Sequence, residues 1–447
     1  MSRLSYIFLT ISIVFLSTTG AELSYRLVFR LHPQGDGWAL EGEARVTGRA
    51  PEDALVFRFF QGYNVRPTLK SVVDGDTEIP WNSVDPTAIV LFPAAEEGQT
   101  FSVTVSYFLE IPPFPDGGYG TLAAGADTVS VAQAYPFLAP WCGEWMVEPV
   151  LGWGDSVVAE VADYTAGIEA PPGWEVVATG VEGGAPGITL VSGENLREFS
   201  FVLLSGYERS VHRGDGIEVC SWYLPEHRAA GEEALRLTSQ ALELYAHLFG
   251  VYPFPELDIV EVPLRLAAGV EFPGLILAAG KYYRRYQEGR RDLLFPMIFA
   301  HEAAHQWWYA QVGNDQVREP WVDEALATYT SGFAMRAWGL FEELRDYWER
   351  TYGRGRSRNA GATPFDPLWE FPEGEGYGGI VYSGGALFFL ELEAAMGRDR
   401  LISALRRYLR EYRWEIATGE DLLRFLREEG GAAAEAVIGA WRRDGRP

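Results

Sequence analysis

Apolar and polar residues alternate along most of the first half of the chain, and the period then changes. Residues 23–29, 54–59 and 101–107 carry apolar side chains at every second position, the period of a half-buried strand. Clusters of Pro, Gly and Asp separate these runs. Residues 156–168 and 198–204 continue the alternation. Between 22 and 210 no run shows a helix-length period, so an antiparallel β domain is predicted for 22–213. The pattern switches at Arg213-Gly214-Asp215-Gly216. One more strand is predicted at 217–223. An amphipathic helix follows over 227–248, closed by Gly250 with Pro253 beyond. Strands at 257–262 and 275–279 come next, and after them the chain is mainly helical, with short helices predicted at 399–412, 420–429 and 432–443. The fold class is therefore α+β and multidomain. An N-terminal antiparallel β domain (22–213) precedes an α/β domain (214–447) whose strands come before its helices.

Two stretches depart from this scheme. Residues 131–141, from Val131 through Gln133 to Trp141, are apolar, aromatic and broken by Pro136 and Pro140, which makes a poor regular strand. Residues 1–21 combine Arg3, an apolar run over 4–16 and the small residues Thr19-Gly20-Ala21. That is the layout of a signal peptide, cleaved near Glu22. It implies export to the periplasm or the extracellular space, with an uncleaved anchor as the alternative. No other apolar run of membrane length is apparent.

At 447 residues the chain has room for two or three domains with real cores. Its formal net charge of −25 argues against nucleic acid or an anionic membrane as partner. Cys142 and Cys220 are the two cysteines. In an exported protein they can pair or remain separate thiols, and spacing does not decide between the two.

The densest chemistry lies in His301-Glu302-Ala303-Ala304-His305. Two histidines four apart project from one face of a helix and suit one Zn²⁺. Glu302, beside the first histidine, is the expected general base. Catalytic zinc takes a third protein ligand and keeps a position open. Glu324, 19 residues beyond His305, is the natural third ligand. It opens a second apolar helix after Pro320, a good first-turn residue. Asp323, Glu319, Thr328 and Asn314 are candidates to orient the histidines from behind. His32, His212, His227 and His247 lack ligand spacing and read as structural or solvent-facing.

HEAAH, 18 intervening residues and Glu324 within Trp321-Val322-Asp323-Glu324-Ala325-Leu326-Ala327 together resemble the aminopeptidase N family of gluzincin zinc metallopeptidases. The resemblance implies a thermolysin-like catalytic domain behind a β domain, with one Zn²⁺ per chain. It extends to Gly269-Val270-Glu271-Phe272, which is similar to the family's exopeptidase motif. There Gly269 and Val270 would line the substrate backbone, and Glu271 would pair with its free α-amine. Val270 and Phe272 stand where the family usually has Met and Asn. Gln133 resembles the family's β-domain Gln, which helps hold that amine. Tyr382 matches the Tyr whose hydroxyl meets the oxyanion, with Gly384 in place of the usual Lys and Tyr377 as a second candidate. After Tyr382, 65 residues remain (447 − 382). The resemblance thus implies a short form, without the family's large C-terminal helical domain.

These readings imply hydrolysis of the N-terminal peptide bond of peptide substrates. Two alternatives stay open: a zinc endopeptidase in which Glu271 does not select free N-termini, and a non-catalytic peptide-binding protein on the same fold.

Overall fold

The computed structural model describes residues 22–444, apart from 60–65, 86, 116–118, 186 and 215. The signal-peptide reading for 1–21 lies outside the described residues. The first half is built from β-sheets, as its alternation predicts. An eight-stranded sheet is centred on Gly37–Arg49, which pairs antiparallel with Ser24–Gln34 on one side and Thr100–Ile111 on the other. Tyr25, Leu27, Phe29 and Leu31 bury one face of their strand while the residues between them stay more open. One pairing in this sheet is parallel, between Ser24–Gln34 and Ala162–Glu169. Two four-stranded sheets complete the half.

Parts of the alternation do not become strand. Of the run 156–168, the strand begins only at Ala162. Val157, Val158 and Ala159 are buried without a strand partner, and the Ala159 carbonyl accepts from the Arg197 guanidinium instead. Burial alone therefore produced the apolar signal there. The stretch 131–141 is irregular, as expected. Strand Thr128–Ala132 ends at Gln133, whose φ is 53°. Two residues, Phe137 and Leu138, then pair with Leu55–Arg58.

The second half holds a five-stranded sheet in the spatial order Glu208–Gly214, Ile217–Tyr223, Glu256–Val262, Leu275–Ala279, Gly269–Phe272. The three inner strands run parallel and the two outer ones antiparallel. Its first strand starts at Glu208, so the expected boundary at 213/214 falls inside a strand of this sheet. Among the described residues, eight α-helices accompany it: α1 (Arg228–Phe249), α2 (Gly280–Gln287), α3 (Leu294–Ala304), α4 (Trp321–Ala337), α5 (Phe341–Arg358), α6 (Gly385–Met396), α7 (Arg398–Glu411) and α8 (Gly419–Asp444). Helix α8 breaks at Gly431, where φ is 56°, so the two short helices expected there meet at a glycine able to adopt that conformation.

Helices α3, α4 and α6 are apolar nearly all round and form the interior of this half. Helix α4 packs between α3 and α6, and α8 covers α6. Residues Gly378–Met396 are long and apolar enough to cross a membrane, which corrects the expectation that no further run of that length exists. Much of this segment is buried in the core, which accounts for its composition. Cys142 is an exposed thiol and Cys220 a buried one, and the two are not bonded. Of the histidines away from the motif, His227 is buried, and its Nδ1 lies 2.7 Å from Glu261 Oε1. It ties the start of α1 to the central strand Glu256–Val262.

Candidate metal centre

Helix α3 ends with the motif, and α4 begins with the third acidic candidate. Phe295, Ile298, Phe299 and Ala300 anchor α3 in the core, which leaves His301 and His305 on the face turned toward α4. His301 Nε2 and His305 Nε2 are 3.0 Å apart. Glu324 Oε2 lies 3.2 Å from the first and 3.4 Å from the second. This carboxylate oxygen is buried and has no hydrogen-bond partner.

The orientation of His305 is set from behind. Its Nδ1 lies 3.0 Å from the Trp308 carbonyl. A carbonyl only accepts, so Nδ1 carries the proton and Nε2 presents a lone pair. Thr328 Oγ1 stands 3.4 Å from His301 Nδ1. With both imidazoles neutral, three lone pairs can converge here at mutual separations of 3.0 to 3.4 Å. They do match one face of a tetrahedral ion, since ligands at about 2.0–2.1 Å stand about 3.3 Å apart. The donor set of two imidazoles and one carboxylate therefore fits Zn²⁺. Burial acts to raise the Glu324 carboxyl, but the two imidazoles outweigh it and hold the group well below the usual carboxylate range.

The remaining predicted residues surround this triad. Glu302 is buried beside it. Burial pushes its carboxyl up, opposed by His301 and His305. Gly269, on the edge strand, faces Glu302 so closely that a Cβ there would stand 2.6 Å from Glu302 Cδ. Glu271, two residues on and buried, places Oε1 3.9 Å from His305 Nδ1. Burial raises it well above its ordinary value, against the pull of His305. Val270 between them is half-buried, and Phe272 is buried in the core.

Tyr382 lies in a widened helical turn over Gly378–Gly384, just before α6, a feature frequent at functional sites. Its hydroxyl donates to Glu324 Oε1, and its ring stacks on His301 with centroids 5.6 Å apart. Tyr377 packs edge-on against Tyr382 at 5.5 Å and comes second to it in reach. Gln133 does not border the triad directly: its side-chain amide nitrogen donates to Glu198.

Of the four expected supporting residues, Thr328 alone touches a histidine. Asn314 Nδ2 donates to Asp323 Oδ1 at 3.2 Å, and Gln316 Nε2 donates to Oδ2 at 2.7 Å. Asp323 Oδ1 also accepts from the Glu324 backbone N–H at 2.8 Å. Asp323 thus fixes the entry of α4. Glu319 turns away and accepts from the Gly419 N–H at the start of α8.

Three contributors carried little or no sequence signal. The Trp308 carbonyl that orients His305 is backbone, which composition cannot mark. Gln306, directly after the motif, accepts from the Gly274 N–H at 3.0 Å and donates to the Phe272 carbonyl at 3.0 Å. It clamps the hairpin bearing Glu271 to the end of α3. Asp155 comes from the β half and hydrogen-bonds Glu324; burial and the charge of Glu324 hold its carboxyl well above the usual range. Its place in Gly152-Trp153-Gly154-Asp155, one acid in a Gly and Trp loop, is the single hint available.

A zinc-type donor triad thus stands on two adjacent helices, with the β half beside it. Residues 233–441 match the peptidase family M1 domain. Rice (Oryza sativa subsp. japonica) Aminopeptidase M1-B is 28% identical over 221 residues, covering 47% of this chain and 25% of that protein. The match thus spans about a quarter of the curated relative's length. An M1 zinc metallopeptidase mutant from Deinococcus radiodurans, solved with a Tyr-Ser-Ala substrate, aligns with a TM-score of 0.68 at 18% identity, covering 95% of both chains. A two-domain M1 zinc metallopeptidase mutant bound to L-tryptophan aligns with a TM-score of 0.69 at 17% identity and covers 96% of both. The fold is shared across both halves, including the β domain.

Proposed function

We propose that this chain is a zinc-dependent aminopeptidase that removes the N-terminal residue of peptides. The observation that carries the reading is the convergence of His301 Nε2, His305 Nε2 and Glu324 Oε2 beside two further buried carboxyls, Glu302 on the metal helix and Glu271 on a sheet edge. The relatives support it: one is named an aminopeptidase, and one neighbour was solved with a tripeptide.

The residues divide the work. The edge strand Gly269–Phe272 offers unpaired backbone to an extended peptide, which adds to the sheet by strand pairing. Glu271, with Gln133, takes the α-ammonium and so sets the first peptide bond over the metal. His301, His305 and Glu324 would hold Zn²⁺, which would supply Lewis acidity and lower the pKa of water. Glu302 accepts a proton from the attacking water and delivers it to the leaving amine. The Tyr382 hydroxyl, beside Glu324, swings its donor to the oxyanion that develops at the scissile carbonyl. Gly269 leaves the space that Glu302 needs for both transfers.

The test is a paired assay with and without a zinc chelator. One arm is a panel of aminoacyl arylamides, the other internally quenched peptides with blocked N-termini. Chelator-sensitive cleavage of the first panel alone is the expected result. Cleavage of blocked peptides would instead make the chain an endopeptidase, and silence on both with zinc bound would make it a binding protein. We also infer export through residues 1–21, to the periplasm or beyond. N-terminal sequencing of the mature protein should then start near Glu22.

A further inference from the structure

Glu198 is buried at 1% exposure, and both of its carboxylate oxygens are engaged. Oε2 accepts from the Gln133 side-chain amide nitrogen, and Oε1 accepts from the Tyr309 hydroxyl. Its neighbour Arg197, equally buried, donates from Nε to the Tyr309 carbonyl at 2.9 Å and from Nη1 to the Ala159 carbonyl at 2.7 Å. The dipeptide Arg197-Glu198 of the β half therefore grips Tyr309 of the helical half at both backbone and phenol. Tyr309 sits four residues past His305, in the turn that follows α3.

Gln133 and Tyr309 also share an unusual backbone, with φ of 53° and 130°. Non-glycine residues persist in such conformations where their surroundings over-determine them, often at functional sites. Here one carboxylate holds both. The Tyr309 phenol also feels the charge of Glu271, which sets this arrangement within electrostatic reach of the expected amine anchor.

We propose that Glu198 is the positioning residue of that anchor: it holds the Gln133 carboxamide by its nitrogen, so that the carbonyl oxygen is what Gln133 offers a substrate ammonium. The inference rests on the aminopeptidase reading above. A carboxamide has a donor end and an acceptor end, and which way it points is set by its partners. Ionised Glu198 accepts only, so the nitrogen faces it. An ammonium donates only, so it needs the oxygen. Turned the other way, Gln133 would present N–H groups to a cation.

The experiment measures two affinities on the full chain loaded with zinc, by calorimetry. One ligand is an amino-acid hydroxamate; the other is the same hydroxamate without its α-amine. Both use the metal, and their ratio reports amine recognition alone. Wild type should prefer the amine-bearing ligand. Equal affinities would sink the aminopeptidase reading and this inference with it. Glu198→Gln should cut the preference about tenfold, the scale of one hydrogen bond to a charged group, while the des-amino ligand binds as before. The double variant Gln133→Glu/Glu198→Gln should restore the preference, because an amide at 198 then donates to a carboxylate at 133. A wild-type preference that survives in Glu198→Gln overturns the proposal, as does equal weakening of both ligands, which marks a packing role only. If Glu198→Gln does not fold, Gln133→Leu decides: it should narrow the preference as much, and an unchanged preference overturns the proposal.

Discussion

Two groups of acids lie where the β half meets the helical half, and they behave in opposite ways. In the first, Glu324 stands within 3.4 Å of two imidazole nitrogens and is held well below the usual carboxylate range. In the second, Glu182 on strand Val181–Ala185 meets Glu256 and Asp258 on strand Glu256–Val262, with ligand atoms within 4.8 Å of one another. No histidine belongs to that group. Trp222 Nε1 donates to Asp258 at 2.6 Å, the Ala178 N–H donates to Glu182 at 2.5 Å, and Arg209 is the cation whose charge reaches Asp258. Burial pushes Glu182 up to about 10 and Asp258 up to about 7. Imidazoles add no negative charge, so they stand beside Glu324 without repelling it and, when neutral, offer lone pairs that a cation can take. The second group has carboxyls alone, and burial with their mutual repulsion favours the protonated forms.

The difference can be broken from either side. His301→Ala removes one of three donors, and bound zinc and activity should both fall to background, as read by metal analysis alongside the arylamide assay. Retention of a full zinc equivalent would refute the ligand assignment. Glu302→Gln should keep the metal yet lower kcat by about 10²–10⁴-fold, the range for a positioned general base; an active variant would remove Glu302 from that role. Gly269→Ala should fold normally, because the atom it meets is the end of a flexible side chain. It should still cost about 10²-fold in kcat by moving Glu302, the penalty of a small misplacement. Unchanged kcat would show that Glu302 has room to spare.

The smallest effect belongs to the second group and depends on pH. Asp258 and Glu182 have folded-state values raised above their unfolded values of about 4. The folded state therefore binds more protons than the unfolded state across that window, and stability falls as pH rises through it. Thermal melts should show Tm declining from about pH 4 to pH 7 through Asp258, and on toward pH 10 through Glu182. Glu182→Gln should flatten the upper part of that slope. A slope identical to wild type would mean that the cluster does not hold its protons.

Much of the metal side was legible in the amino-acid sequence. Its donors sit at fixed separations on two consecutive helices, and helical geometry converts those separations into direction. The amine side was legible only in part. Glu271 could be expected because Gly269-Val270-Glu271-Phe272 resembles a family motif. The orientation of Gln133 could not, because it depends on Glu198, 65 residues later, and through Glu198 on Tyr309 of the other half. Residues 156–161 misled for a related reason: buried irregular chain and buried strand carry the same apolar composition.

The order of residues thus set the period of each segment, the succession of β before α, and the local spacing of His301, Glu302 and His305, all of which are short-range properties of the backbone. Which distant groups meet was left to the packing of the two halves. That packing turned His305 by the Trp308 carbonyl, clamped the Glu271 hairpin through Gln306, brought Asp155 to Glu324 and set the acids Glu182 and Asp258 against each other. Most of these contacts join residues far apart in the chain, and their energies come from burial and partner geometry, which exist only once the two halves are packed together.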